Sequence, residues 1–158
     1  MNGKKYELLQ DQTIEWCGRT LCRIRALRDF GDVHAGDVGG YIECERNLSQ
    51  DGNAWVYDDA RVCGDARVCG NACVCGDARV YGNAWVCDNA RVCGNACVCD
   101  NARVYGNARV YGNAWVSDNA RVCDNAWVSD NALVCGDATV YGNAWVSANA
   151  RVCGNADG

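Results

Sequence analysis

The sequence predicts an all-β fold, a β-solenoid of stacked six-residue units preceded by a small β-sheet cap. Three observations predict it. Ala recurs at every sixth residue from Ala54 to Ala156 and Val at every sixth residue from Val56 to Val152, both without a break. The unit alternates, so that Ala-x-Val-y puts Ala and Val on one face of a short strand and x and y on the other. The pair that follows, Gly or Asp and then Asn or Asp, is turn chemistry, because these residues tolerate positive φ. So short a strand with one buried face is not stable alone, and neighbouring units must stack to bury a continuous Ala/Val column.

Ahead of the repeat the pattern changes, and two regions are expected: a β cap over 1–38 and the solenoid over 39–158. Lys5 to Leu9, Thr13 to Trp16 and Leu21 to Leu27 read as three strands of a β-meander, with turns at Asp11-Gln12 and Cys17-Gly18-Arg19. Asn47-Leu48 is an imperfect unit in the number register of Ala54, which puts Ile42 and Leu48 in the Ala column. The meander is expected to cover the N-terminal end of the solenoid and protect its open strand edge.

The six-residue period, with a small and a larger apolar residue two positions apart, resembles the hexapeptide-repeat left-handed β-helix. That resemblance implies a single-stranded left-handed solenoid with three units, 18 residues, per triangular coil. The general rule for parallel crossovers gives the opposite hand, so handedness rests on the resemblance alone. Lys5-Tyr6-Glu7-Leu8, Gly18-Arg19-Thr20-Leu21, Arg23-Ile24-Arg25-Ala26-Leu27, Gly39-Gly40-Tyr41-Ile42-Glu43 and Asn47-Leu48-Ser49 are together similar to the YdcK-like group of bacterial and phage β-helices. The group's transferase label follows fold rather than chemistry. This chain departs from it by carrying Cys where Tyr more often follows the Val.

Wound at that spacing, the 17 Val-bearing units make nearly six coils and a rod roughly 30 Å long. One corner then carries Asn throughout, at Asn53, Asn71, Asn89, Asn107, Asn125 and Asn143. Stacked amides one coil apart hydrogen-bond to each other, so a structural ladder is expected. One outer column reads Trp55, Cys73, Arg91, Arg109, Trp127, Trp145. Trp and Arg stack between coils, and they are also the residues enriched at interface hot spots. The interface candidates are Trp127, Trp145, Arg91, Arg109 and Trp115, with Arg151, Val152 and Ala156 of the last coil, through which copies of the chain are expected to pair end to end.

The net charge of −5 disfavours nucleic acid and anionic membranes as partners, because both attract basic patches. No apolar run approaches the roughly 20 residues of a membrane span, and Met1 to Leu9 lacks a secretory apolar core, so a cytoplasmic protein is expected. Of the 14 Cys, eleven follow Arg46, all at the x and y positions, and they read as reduced occupants of a surface site. The vertical pairs Cys75 with Cys93, Cys69 with Cys87 and Cys135 with Cys153 sit at strand spacing, where parallel Cβ vectors argue against disulfides. Cys73, Cys75 and Cys93 form a weak thiol cluster for zinc or copper(I), but Arg91 takes the place of a fourth ligand, and no metal or other cofactor is expected.

Catalysis has little to stand on. The hexapeptide acyltransferases use a His base in a cleft, and the one His here, His34, precedes an uninterrupted repeat that has no loop to build a pocket. The sequence therefore reads as a non-catalytic rigid rod that binds protein or associates with itself. The alternatives are a phage-type inhibitor binding a host protein through its outer faces and, as the lesser one, an acyltransferase-like protein.

Overall fold

The computed structural model describes residues 4–154. It is all-β apart from one 3-10 turn at Glu45–Asn47. β1 (Tyr6–Trp16) and β2 (Arg19–Ala26) form an antiparallel hairpin, and β2 pairs antiparallel with β3 (Val38–Ile42). The hairpin turns on Cys17 at φ 53° and Gly18 at φ 75°, the two positive values that match a tight turn to strand twist. The turn expected at Asp11-Gln12 is not one. Partners jump from Leu9↔Arg23 to Thr13↔Cys22, so exposed Gln10, Asp11 and Gln12 loop out as an irregularity within a single strand.

Short strands follow, β4 (Trp55–Val56) through β20 (Arg151–Gly154), stacked in parallel. They build three sheets of nine, six and five strands, and β1, β2 and β3 extend the nine-stranded one. The cap boundary expected at 38/39 falls inside β3, which pairs with β2 on one side and in parallel with Arg61–Val62 on the other. Rungs repeat every 18 residues, as in Arg91↔Arg109 and Val92↔Val110. Every Ala and Val of the repeat from Ala54 to Val134 is buried, which makes a continuous apolar column. The result is a triangular solenoid of about six coils.

The corners explain the Gly/Asp alternation. Asp88, Asp100, Asp118, Asp124 and Asp130 sit at φ between 59° and 62° where other corners have Gly. Each Asp offsets its left-handed backbone by reaching along the rod: the Gly106, Gly136 and Gly142 N–H groups donate to the Oδ2 atoms of Asp88, Asp118 and Asp124 at 3.1, 2.9 and 3.0 Å.

The first coil departs from the expected register. Ile42 pairs with Val62 and Leu48 with Val68, so both lie in the Val column and not the Ala column. The numbering misled because the corner between Leu48 and Val56 holds two residues more than the later corners, room that the cap uses. Lys5 is fully buried there, and its Nζ donates to the carbonyls of Ala54 at 2.8 Å, Asp51 at 3.3 Å and Gly52 at 3.4 Å. Further along the chain such carbonyls accept N–H groups of the preceding coil, for example Asn53 N–H to the Gly70 carbonyl. Lys5 thus supplies the donors of a coil that is not there. Asn47 does the same at another corner, its Nδ2 donating to Ala66 O at 2.8 Å and Gly64 O at 3.2 Å.

Trp55 completes the plug. Its column faces outward, yet Tyr6 and Phe30 cover it edge-on at 6.1 and 5.3 Å and leave it 1% exposed. Gly39 is required beside it, since a Cβ there would lie 2.4 Å from the Val56 carbonyl and 2.8 Å from the Trp55 ring.

Candidate functional site

The outer surface is three columns of x residues, one per sheet. The six-stranded sheet, the tryptophan face, carries Trp55, Cys73, Arg91, Arg109, Trp127 and Trp145 in register. The nine-stranded sheet, the capped face, carries Arg61, Arg79, Cys97, Trp115, Leu133 and Arg151. The five-stranded sheet, the third face, carries Arg67, Trp85, Arg103, Arg121 and Thr139. Four interface candidates, Arg91, Arg109, Trp127 and Trp145, therefore share one face. Trp115, Arg151 and the half-buried Val152 lie elsewhere on the capped sheet, and Ala156 lies outside the described residues.

On the tryptophan face the amide ladder runs from Asn71 through Asn89, Asn107 and Asn125 to Asn143, each Nδ2 donating to the next Oδ1 at 3.2 to 3.4 Å. Asn53, at the head of the column, instead lies against Gly31 of the cap. The other corners have ladders that the mixed Asn/Asp columns concealed: Asn83 to Asn101 to Asn119 to Asp137, and Asn113 to Asn131 to Asn149. Reading Asp as a continuation of the acceptor chain would have found the first of these.

Beside the ladder, the Trp127 and Trp145 rings stack with centroids 4.8 Å apart and planes 1° from parallel. Tyr111 meets Trp127 edge-on at 5.4 Å, and the Arg109 guanidinium lies over the Trp127 ring at 5.1 Å. Trp145 remains 67% exposed. The third face repeats the motif, with Trp85 between the guanidinium groups of Arg67 and Arg103 at 5.9 and 5.4 Å. Between ladder and column run two shallow grooves. One of about 360 Å³ is lined by Asn89, Arg91, Asn107, Arg109, Asn125 and Trp127; the other, about 380 Å³, by Asn83, Trp85, Asn101, Arg103, Asn119 and Arg121. A third hollow, about 420 Å³, lies under the hairpin tip, where Trp16 meets Tyr81.

The cysteines correct two expectations. Cys75 with Cys93 and Cys135 with Cys153 are disulfides, their Cα atoms 4.6 and 4.4 Å apart. One coil of rise is at the short end of the Cα range that a disulfide spans, so strand spacing permits the bond that was argued against. With Cys75 and Cys93 bonded to each other, Cys73 loses its proposed co-ligands, and no metal-binding cluster exists among the described residues. Cys63, Cys97, Cys99 and Cys123 are buried rather than surface occupants. Cys97 lies in register between Arg79 and Trp115, and burial pushes the Cys63 and Cys99 thiols up to about 11. Cys69 and Cys87 stay free, and their mutual hydrogen bond holds Cys69 down at about 7 while pushing Cys87 up.

His34 is exposed, and its backbone N–H bonds the Asp37 carboxylate at 2.9 Å. The buried Lys5 was missed as a special residue, because nothing in its neighbours distinguishes a capping Lys from a surface one. Removal from water, with Arg28 nearby, lowers its pKa to about 8.

Four stretches, residues 60–76, 72–88, 102–118 and 132–148, match the family model described as the YdcK β-solenoid repeat. Together these stretches cover less than half of the chain. In addition, 38 residues are 53% identical to a protein of Escherichia coli (strain K12) named uncharacterized acetyltransferase YdcK, a match covering 24% of this chain and 12% of that protein. The chain thus matches about an eighth of that protein's length, and the stretches similar to the YdcK β-solenoid repeat carry part of the framework on which the grooves are built.

Proposed function

We propose that the chain is a non-catalytic, rigid interaction module that engages a protein through its tryptophan face. The observation carrying this reading is the coplanar Trp127–Trp145 stack, exposed at Trp145 and continuous with the arginines of the same column. An exposed aromatic platform on a scaffold held by inter-coil hydrogen bonds costs little entropy to present, which is what an interface anchor needs. The companion form of the reading, a self-associating rod, uses the same platform with a second copy as partner. Affinity capture from host lysate tests it, with light scattering for the second form. A stoichiometric partner, or a dimer, that disappears with Trp127→Ala and Trp145→Ala supports the module; retention unaffected by both substitutions argues it away.

A second reading, acyl transfer, is favoured by the name of the E. coli relative alone. Titration of acetyl-CoA by calorimetry, followed by an acetyl-transfer assay on small amines, decides it. Saturable binding that is lost in His34→Ala would put the enzyme reading first.

A further inference from the structure

The arginines of the repeat, Arg61, Arg67, Arg79, Arg91, Arg103, Arg109, Arg121 and Arg151, form no ion pair among the described residues. Ion pairs lie instead at the capped end: Lys4 with Glu45, Arg19 with Glu43, Arg23 with Asp59, Arg25 with Glu7 and Arg46 with Asp65. Corner carboxylates are occupied, since Asp88 and Asp124 accept backbone N–H groups of the next coil. Among the described residues this column therefore has no carboxylate within ion-pair distance, in a chain of net charge −5.

On the tryptophan face this column becomes a site. Arg91 and Arg109 are strand partners, so their backbones lie about 4.8 Å apart. Trp127 lies beneath the Arg109 guanidinium, and a planar cation stacked on a ring keeps its N–H edges available for bidentate bonds to carboxylate. Asn89, Asn107 and Asn125 line the same groove. Each uses one Nδ2 hydrogen in the ladder and has a second to offer a ligand.

We propose that this groove binds an extended acidic peptide segment laid along the rod, its carboxylates on Arg91 and Arg109, its backbone on the amide ladder and an aromatic or apolar side chain on Trp127 and Trp145. The proposal deepens the interaction-module reading and rests on it. Charge complementarity carries it. The overall charge disfavours nucleic acid: a polymer charged at every unit meets the repulsion of a chain of net charge −5, whereas a peptide places its acids selectively. The third face has a similar groove, but among the described residues its column ends at Thr139 and has no aromatic stack to continue it.

The test is calorimetry and tryptophan fluorescence on the whole chain with a synthetic peptide, acetyl-Ser-Glu-Ser-Glu-Ser-Glu-Tyr-Ser-amide, and its counterpart with Gln for Glu. The Glu peptide is expected to bind at least about tenfold more tightly than the Gln peptide, with affinity falling as salt rises. Arg91→Gln with Arg109→Gln should cost about tenfold, and Arg91→Lys with Arg109→Lys, which keeps charge but loses the fork, an intermediate amount. Unchanged melting would show that substitutions at exposed Arg91 and half-buried Arg109 leave the fold intact. The inference is overturned if the two peptides bind alike, if Arg103→Gln with Arg121→Gln rather than the first pair abolishes binding, or if oligodeoxythymidine or polygalacturonate binds more tightly than the Glu peptide. A captured protein lost with Trp127→Ala but retained undiminished by the Arg91/Arg109 double variant would leave the module standing and remove the acidic segment.

Discussion

The capped end and the repeat coils solve the same problem with opposite means. In the repeat, strand N–H groups find their partners one coil away while Ala N–H groups close the corner on the carbonyl three residues earlier, the same contacts recur every 18 residues, and the side chains outside are left over for stacking. At the capped end there is no preceding coil, so single side chains must imitate one: Lys5 and Asn47 donate where N–H groups would have, and carboxylates neutralise the surrounding cations. The difference teaches that stability at the cap is concentrated in a few irreplaceable contacts, whereas in the coils it is spread over many equivalent ones. Such a distribution is what nearest-neighbour stacking predicts.

Substitutions can break that contrast. The largest effect is expected from Lys5→Met, which leaves the buried Ala54 carbonyl, and the part-buried bonds to Asp51 and Gly52, without a donor and should cost about 3 kcal/mol in denaturant unfolding. The same variant carries a pH signature. Burial lowers the Lys5 pKa from 10.5 to about 8, so between those values the unfolded chain binds more protons than the folded one. The Lys5 contribution to stability therefore rises as pH rises through that window, and the stability difference between wild type and Lys5→Met should widen from pH 8 to 10.5.

Asn47→Ala comes next, at about 2 kcal/mol, because its amide both donates to Gly64 and Ala66 and accepts the Glu43 and Cys44 N–H groups. Asn107→Ala cuts a ladder in the middle, yet its neighbours keep their other rungs and the site is exposed, so thermal melting should register about 0.5 to 1 kcal/mol. Arg109→Ala should be the mildest, within about 0.5 kcal/mol, visible chiefly as altered Trp127 fluorescence. A repeat substitution that costs more than Lys5→Met would erase the contrast.

Legibility in the sequence follows the same division. Ala54 to Val134 could be placed inside, and the Asn71 to Asn143 ladder outside, because each assignment is repeated by every coil and errors would be conspicuous. The Cys17-Gly18 turn was readable from local chemistry. What escaped were contacts made once: the two-residue excess before Val56 that moved Ile42 and Leu48 to the Val column, the burial of Trp55 under Tyr6 and Phe30, and the cap role of Lys5. The Cys75–Cys93 and Cys135–Cys153 bonds escaped for another reason, since they depend on side-chain rotation at a given rung and not on the period. The Arg91–Arg109 groove lay half in view. Its column was legible, but the lack of carboxylate partners was not, because that depends on where the Asp side chains turn.

The strict rung spacing also makes this molecule a graduated ruler. Inserting or removing 18 residues in the repeat would change the distance between the cap and the Trp127–Trp145 platform by about 4.8 Å and leave the platform pointing the same way. A six-residue change would instead carry everything downstream round to the next face, uncoupling those tryptophans from Arg91 and Arg109. Reach and direction are thus tuned separately, and the column that holds a site together limits the chain to growth by whole turns.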